Sequence, residues 1–462
     1  MNYLATGKVA EPIFSLYTFQ LKYNLAKGSN EPVSDANNLW EKIQEIVNYL
    51  EIYELDNLPK LIAESEINNP SNQDRRLTTK DLIFEKKYNK LDLRVGIDPL
   101  IIDDTYAANL TFAYPLPEVK LSHLKGLNPN HSLIPQNINA SLGQTLIFFA
   151  KPLGEFEDEE SLQEFADACV TGLLAAEKVQ ELKINCQNKG KLLGSHIFEY
   201  NNDADSPQEQ CHILIWLNTN PQITALEKVQ KCYYPLIELL LCRSKIIYVR
   251  NQAIWCNQQA QEIYKELESK VNEFNFTPNE NLNSCLDKFQ EWLRSTPDKS
   301  FKYSHYLRDL LLHRNTIRTN IKNYKLHLEE IKKIYNDDSQ FLFSFLKLAQ
   351  KTYIQQITTD LAYLIPGEKL FEDMFETIRG IVQIEEVKRD KSLERTIQVV
   401  GVGVGTGAIV GGVVTQHIDK PFKPLNPKNP FHPMVSSLFW SVLATITAGL
   451  LTWVLTKRKV KS

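Results

Sequence analysis

The sequence predicts three parts in series: an α+β (or α/β) N-terminal domain, a long α-helical, coiled-coil stalk, and a C-terminal two-helix transmembrane hairpin. Three observations predict this order. Two C-terminal runs, Thr396 to Gln416 and Pro433 to Thr456, contain no charged residue. Upstream, apolar residues recur with alternating spacings of four and three. Before those, short β-branched and aromatic runs alternate with helical ones. The parts cover residues 1–220 (cytoplasmic α/β domain), 221–395 (stalk) and 396–456 (hairpin), with a basic tail at 457–462.

The totals restrict the function classes. A chain of 462 residues has room for two or three cores, and its 43 % hydrophobic and 23 % charged residues are those of a globular protein. A net charge of -4 gives no basic footprint, so nucleic acid is excluded as an expected partner. The seven cysteines include no CxxC pair and are odd in number, which argues against a zinc knuckle or a disulfide framework. They read as reduced, mostly buried thiols of a cytoplasmic domain. The start, Met1 to Lys8, lacks a basic stretch followed by an apolar one, so no signal peptide is expected.

In the N-terminal domain, strands are expected at Ile13 to Tyr23, Leu110 to Tyr114, Thr145 to Ala150, His196 to Tyr200 and His212 to Leu217. The last two flank the polar link Asn201 to Gln210 and read as a hairpin. Leu39 to Leu55 and Glu159 to Leu174 read as helices, and the sheet is expected to be mixed or antiparallel. No HExxH, Walker loop, GxSxG elbow or EF-hand loop occurs, so no catalytic residue is assigned and an enzyme is not expected. His196 and His212 lie beside apolar residues in strands and read as satisfied histidines rather than ligands.

One acidic run stands out, from Glu155 through Glu157, Asp158, Glu159 and Glu160 to Glu164 and Asp167. Four of these, Glu157, Asp158, Glu159 and Glu160, are the candidate ligands for Mg2+ or another divalent cation, because hard cations want several oxygens. The competing reading, which we favour, is that acids gather at a helix N-terminus. Asp98, Asp103 and Asp104 form a weaker cluster in a loop-like stretch.

The stalk begins with a helix near Ala225 that tolerates or kinks at Pro235 and runs to about Val271. Asn275 to Asn283 reads as a loop, Cys285 to Arg294 as a short helix, and Ser295 to Asp298 as a turn at Pro297. The seam follows: Tyr303, Leu307, Leu310, Arg314, Ile317, Ile321, Tyr324, Leu328, Ile331 and Tyr335. Its partner is another helix of this chain or another subunit. A helix over Ser339 to Leu364 is expected to stop at Ile365-Pro366-Gly367. A further helix starts near Glu368, with Phe371, Met374, Phe375, Ile378 and Val382 on one face. Run on to Gln416, it would be about 75 Å long at 1.5 Å per residue.

Each uncharged run has the length that crosses a bilayer core of roughly 30 Å. Between them Pro421, Pro424, Pro427 and Pro430 suit an extended turn. Lys388, Arg389, Lys391 and Arg395 before the first run, and Lys457, Arg458, Lys459 and Lys461 after the second, place both termini in the cytoplasm, in a bacterial inner membrane. The first run is dense in glycine. Gly403 to Ala408 matches a loose GxGxxG/A pattern, but a nucleotide loop needs a strand before it and a helix after it. The better reading is helix packing in lipid through Gly401, Gly403, Gly405, Gly407 and Gly411, in overlapping GxxxG pairs. These glycines serve either an oligomer around a narrow pore or tight packing on the second span alone. No ionisable residue lies in either run, which disfavours a pump.

This order of parts resembles the CorA-like superfamily of two-transmembrane divalent-cation transporters. The resemblance implies a cytoplasmic domain, long helices and one very long helix that becomes the first span. The seam and the glycine-dense first run suggest a homo-oligomer assembled through the stalk and the first span, and the resemblance implies transport of divalent cations across the lipid. The family ends its first span with Gly-Met-Asn, where this chain has Thr415-Gln416-His417. The likeness is therefore one of architecture, and no family site residue is carried over. The expected function is a cytoplasmic domain that gates a pore of two helices per subunit. The alternative is a membrane-tethered scaffold or defence effector that binds a partner.

Overall fold

A computed structural model of the chain describes residues 3–23, 32–68, 75–88, 91–219, 225–273, 282–334 and 340–386. Both expected spans, their glycine set (Gly401, Gly403, Gly405, Gly407, Gly411), the proline-rich loop and the basic tail lie outside the described residues. Among the described residues no helix is long and apolar enough to cross a membrane.

The chain divides into two compact units, Met1–Gln252 with His313–Gln356, and Ala253–Leu312 with Ile357–Ser462. The first is built on a mixed nine-stranded sheet. In chain order its elements are α1 (Tyr3–Thr6), β1 (Lys8–Leu21), α2 (Asn38–Tyr49), α3 (Leu58–Asn68), β2 (Leu82–Tyr88), β3 (Leu91–Ile102), β4 (Thr105–Ala113), β5 (Val119–Lys120), α4 (Pro135–Ile138), β6 (Gln144–Leu153), α5 (Glu159–Leu174), α6 (Ala176–Glu181), β7 (Asn185–Leu192), β8 (Ser195–Asn201) and β9 (His212–Leu217). The strand order is β2-β3-β4-β1-β6-β9-β8-β7, with β5 pairing β1. The β6·β9 pair is parallel and the others are antiparallel. That pair requires a crossover, which α5, α6 and the β7–β8 hairpin supply.

Side chains alternate between the two faces of a strand. On one face Phe14, Leu16, Leu146, Phe148, Phe198, Ile213 and Ile215 join a core with Trp40 and Ile43 of α2 and Phe165 and Leu173 of α5. The intervening residues, among them Tyr17, Thr145, Phe149, Glu199, His212 and Trp216, point to the opposite face. There Tyr17 packs against Tyr233 and Phe149 stacks edge-on against Trp216, with centroids 6.4 and 5.1 Å apart.

The expected strands and the β8–β9 hairpin are present, as are both helices, with α2 ending at Tyr49. Strands β2, β3 and β7 and helix α3 were not expected. Asp98 is not in a loop: it lies in β3, while Asp103 and Asp104 make the two-residue turn into β4, Asp103 at φ 54°. Asp tolerates this left-handed conformation because its short polar side chain bonds locally. The β7–β8 turn has positive φ at both central residues, Leu193 (48°) and Gly194 (73°), the geometry that matches the strand twist.

The helices beyond the sheet are α7 (Ala225–Glu273), α8 (Leu282–Ile334), α9 (Gln340–Leu348), a π-helical turn at Ala349–Tyr353, and α10 (Ile354–Glu386). Two expected breaks are absent. The turn at Ser295–Asp298 does not form, and α8 runs through Pro297. Nor does a helix stop at Ile365-Pro366-Gly367, because α10 continues through all three. An interior proline removes one helical hydrogen bond. At Pro366 that loss falls on an exposed face, where water can take up the freed carbonyl, while Leu361, Leu364 and Phe371 are buried. Around Pro297 the buried Leu293 and Thr296 hold the helix in place. Tertiary burial overrides local propensity at both sites.

From Tyr303 to Ile331 the seam lies on one face of α8, buried except at the half-buried Arg314, and its described contacts are with helices of the same chain; Tyr335 lies outside the described residues. In the first unit Ile317, Ile321, Tyr324, Leu328 and Ile331 are buried. There Tyr324 donates to the Leu342 carbonyl (3.1 Å) and stacks on Phe345. In the second unit Tyr303, Leu307 and Leu310 are buried, and Tyr303 donates to the Leu364 carbonyl (2.5 Å) beside Phe371. A Cβ at Gly367 would lie 2.4 Å from the Tyr303 hydroxyl and 2.7 Å from Tyr264. This glycine serves close helix approach rather than helix termination.

Candidate functional site

Four adjacent strands of the first unit carry a row of bonded polar side chains. Thr145 and His212 are register partners in β6 and β9, and Thr145 Oγ1 lies 2.8 Å from His212 Nδ1. On β8, Glu199 stands opposite Leu214 and reaches His212 on the diagonal, with Oε1 2.9 Å from Nε2. Asn188 of β7 is the direct partner of Glu199 and donates to its Oε2 at 2.8 Å. A bulge in β7 between Cys186 and Asn188 re-aims Gln187 beside the row.

Because a carboxylate only accepts, Nε2 of the neutral imidazole carries the proton and Nδ1 accepts from the Thr145 hydroxyl. Burial and the nearby Arg243 charge push His212 down to about 4, against the opposing hydrogen bond to Glu199. Burial alone would raise Glu199, but His212, Arg243 and Asn188 together bring it to about 2. Near neutral pH the row therefore holds an ionised Glu199 and a neutral His212.

The positive partner comes from α7. Arg243, Ile247 and Arg250 are spaced four and three apart, so they share one helix face. Arg243 is 7 % exposed and donates from Nη1 to Gln210 Oε1 at 3.0 Å, while its Nε has no hydrogen-bond partner. Its guanidinium stacks on Phe345 of α9, 5.2 Å from the ring centroid. Burial lowers its affinity for the proton, and the Glu199 charge partly restores it. Arg250 stacks on Tyr353 at 4.5 Å, within the π-helical turn. Such turns interrupt helices frequently at functional sites.

These groups surround a cavity of roughly 440 Å³. Its walls include Arg243 and Arg250, the amides of Gln187, Asn188, Asn201 and Gln210, the carboxylates of Glu199, Asp203 and Asp205, and the rings of Phe345 and Tyr353, with Arg250 4.0 Å from Asp205. Two cations, three carboxylates, several convergent amides and two aromatic faces make a site for a small polar molecule. The order Thr145–His212–Glu199 is that of a nucleophile, base and acid relay. However, Thr145 and His212 are buried and do not line the cavity, so the row offers no hydroxyl to a substrate. Its evident task is to fix Glu199 and Asn188 at the cavity wall.

The candidate ligands chosen from sequence lie elsewhere. Glu157, Asp158, Glu159 and Glu160 are exposed at the start of α5. Asp158 is the N-cap and accepts from the Ser161 backbone N–H at 2.8 Å, a bond that lowers its carboxyl affinity for the proton. Glu159 faces Lys189 at 3.7 Å. This is the helix-terminus arrangement of acids. Asp98 is committed to Arg76 (2.7 Å) and Tyr233 (2.6 Å), and Asp104 to Lys245 (2.6 Å). His196 bonds Thr219 at 3.1 Å. Among the described residues six cysteines stand outside any disulfide, all buried except the half-buried Cys186.

The residues that build the cavity were not singled out from sequence, although one signal was available. Arg243-Ser244-Lys245 interrupts an otherwise apolar run from Leu239 to Val249, and a charge so flanked must find a buried partner. No protein-family model, no curated protein and no solved structure matches this chain, so the likeness to the two-span cation transporters rests on the order of its parts.

Proposed function

We propose that the chain is a membrane protein in which the sheet-bearing unit senses a small polar ligand and gates a pore. Two C-terminal helices per subunit would form that pore in a homo-oligomer. The observation that carries the sensing role is the Arg243 cavity: a buried, incompletely bonded guanidinium beside a ring of amides. The two uncharged runs, 396–416 and 433–456, supply the membrane part of the reading. Helices α7, α8 and α10 each contribute residues to both compact units, which gives ligand binding a covalent route along the chain. Cations, Mg2+ among them, are the simplest permeant species, because the runs carry hydroxyls and no fixed charge.

The ligand should carry a carboxylate or phosphate for the open Nε of Arg243 and for Arg250, together with donor groups for Asp203 and Asp205 of the same wall, while Glu199 is already held by His212 and Asn188. A thermal-shift panel of small carboxylates and phosphates on the full chain in detergent tests this. A true ligand at about 100-fold its Kd stabilises by about 2.7 kcal/mol. The shift should vanish in Arg250→Ala, and the same compound should change ion flux. A panel without hits, or hits unaffected by Arg250→Ala, contradicts the reading. A tethered scaffold is the second reading, favoured by the exposed Tyr363 and Ile365 of α10, and it predicts membrane retention without flux.

A further inference from the structure

Away from that cavity, α7 and α8 bring three metal-ligating side chains together in the first unit. His327 Nδ1 lies 3.1 Å from Glu238 Oε2 and 3.0 Å from Glu330 Oε2. One ligand atom from each of the three lies within 4.8 Å of the others. Ordinary hydrogen bonding satisfies this cluster poorly. Two carboxylates, which only accept, converge on one ring nitrogen that carries at most one proton. A bound cation would satisfy all three. In a tetrahedral zinc site with bonds of about 2.0–2.1 Å, ligand atoms sit roughly 3.3 Å apart, close to the observed separations.

The surroundings fit as well. Arg75 pairs with the other oxygen of Glu238, Oε1, so that Oε2 is the one turned to His327. Outer partners of this kind orient the carboxylates that hold metals. Glu238 and His327 are mostly buried, whereas Glu330 is 43 % exposed and leaves an open side for entry and for a water ligand. His327 and Glu330 are one turn apart on α8, so two ligands are placed by the helix itself.

We propose that Glu238, His327 and Glu330 bind one divalent transition-metal cation of the zinc class, with water in the fourth position and Arg75 as the positioning residue. The imidazole donor selects against Mg2+ and Ca2+, which take oxygen ligands. Neutral imidazole and two carboxylates balance the charge of the ion. The ion would pin α7 to α8 and does not depend on any ligand in the Arg243 cavity.

The test titrates Co2+ into the full chain in detergent and follows its visible ligand-field absorption. One equivalent should produce tetrahedral bands that Zn2+ abolishes, without the near-ultraviolet charge transfer that thiolate ligands give. Glu330→Gln, at the exposed position where folding is least at risk, should weaken Co2+ binding at least 10-fold, and His327→Ala should abolish the bands. Arg75→Gln should weaken binding by roughly 10-fold, the range for outer partners. Glu159→Gln, in the acidic run of α5, should change nothing. Absent bands, thiolate charge transfer, or bands that survive unchanged in Glu330→Gln would each overturn the proposal.

Discussion

Glu199 and His212 form a buried hydrogen-bonded pair in the sheet-bearing unit, and the nearby Arg243 charge favours the Glu199 carboxylate. Removing one member of a buried charge pair typically costs 3–5 kcal/mol, because the remaining charge has no partner. We expect Glu199→Gln to destabilise the unit by about that amount, read by urea denaturation of the full chain in detergent. Asp158→Asn, at the exposed helix cap of α5, should cost far less. The row also predicts a pH dependence. His212 has its folded value depressed from 6.5 to about 4, so the unfolded state binds more protons between those values. Its contribution is present above about pH 6.5 and is lost as pH falls towards 4. Glu199, depressed from 4.5 to about 2, adds a second loss below pH 4.5. The urea midpoint should therefore fall between pH 7 and pH 4, and His212→Gln should flatten the upper part of that decline. His212 was legible in sequence as a satisfied strand histidine, but its partners were not. Glu199 and Asn188 come from strands whose register no local pattern fixes.

Among the elements, helix period proved readable and strand content only partly so. The seam of α8 is buried at Tyr303, Leu307, Leu310, Ile317, Ile321, Tyr324, Leu328 and Ile331, as its 4-3-4-3 spacing required. Strand β7, Asn-Cys-Gln-Asn-Lys-Gly-Lys-Leu, went unread because it is a sheet edge of mainly polar residues, every second one exposed. Strand β3 contains Gly96 and Pro99, which read as breakers until β2 and β4 flank Gly96 and β4 holds Pro99 in register. The prolines of α8 and α10 misled in the same way. Gly367→Ala should be more damaging than Pro366→Ala, the reverse of what a helix breaker at this point would give. The new Cβ would collide with Tyr303 and Tyr264, an overpacking cost of roughly 1–3 kcal/mol. Pro366→Ala restores a helical hydrogen bond on an exposed face and should be neutral or stabilising. Thermal unfolding of the two variants side by side checks the order.

For the molecule as a whole, the α/β sheet unit and the long helices are established, and the membrane function is our proposal from sequence. The apolar runs were the plainest features of the chain to read, because twenty uncharged residues in succession need no tertiary context for their interpretation. The Arg243 cavity was the least legible, because it is assembled from β7, β8, the β8–β9 link, α7, α9 and the π-helical turn. If the glycines of the first run line close helix contacts around a pore, leucine at those positions should block assembly without releasing the protein from the membrane. The most direct measurement is ion flux from liposomes reconstituted with the full chain and with the Gly403→Leu, Gly407→Leu double variant. The account predicts flux through the wild-type chain, in an oligomer by mass, and its loss in a variant that stays membrane-bound. Wild-type liposomes that conduct nothing, or a double variant that conducts as well as wild type, would contradict the pore.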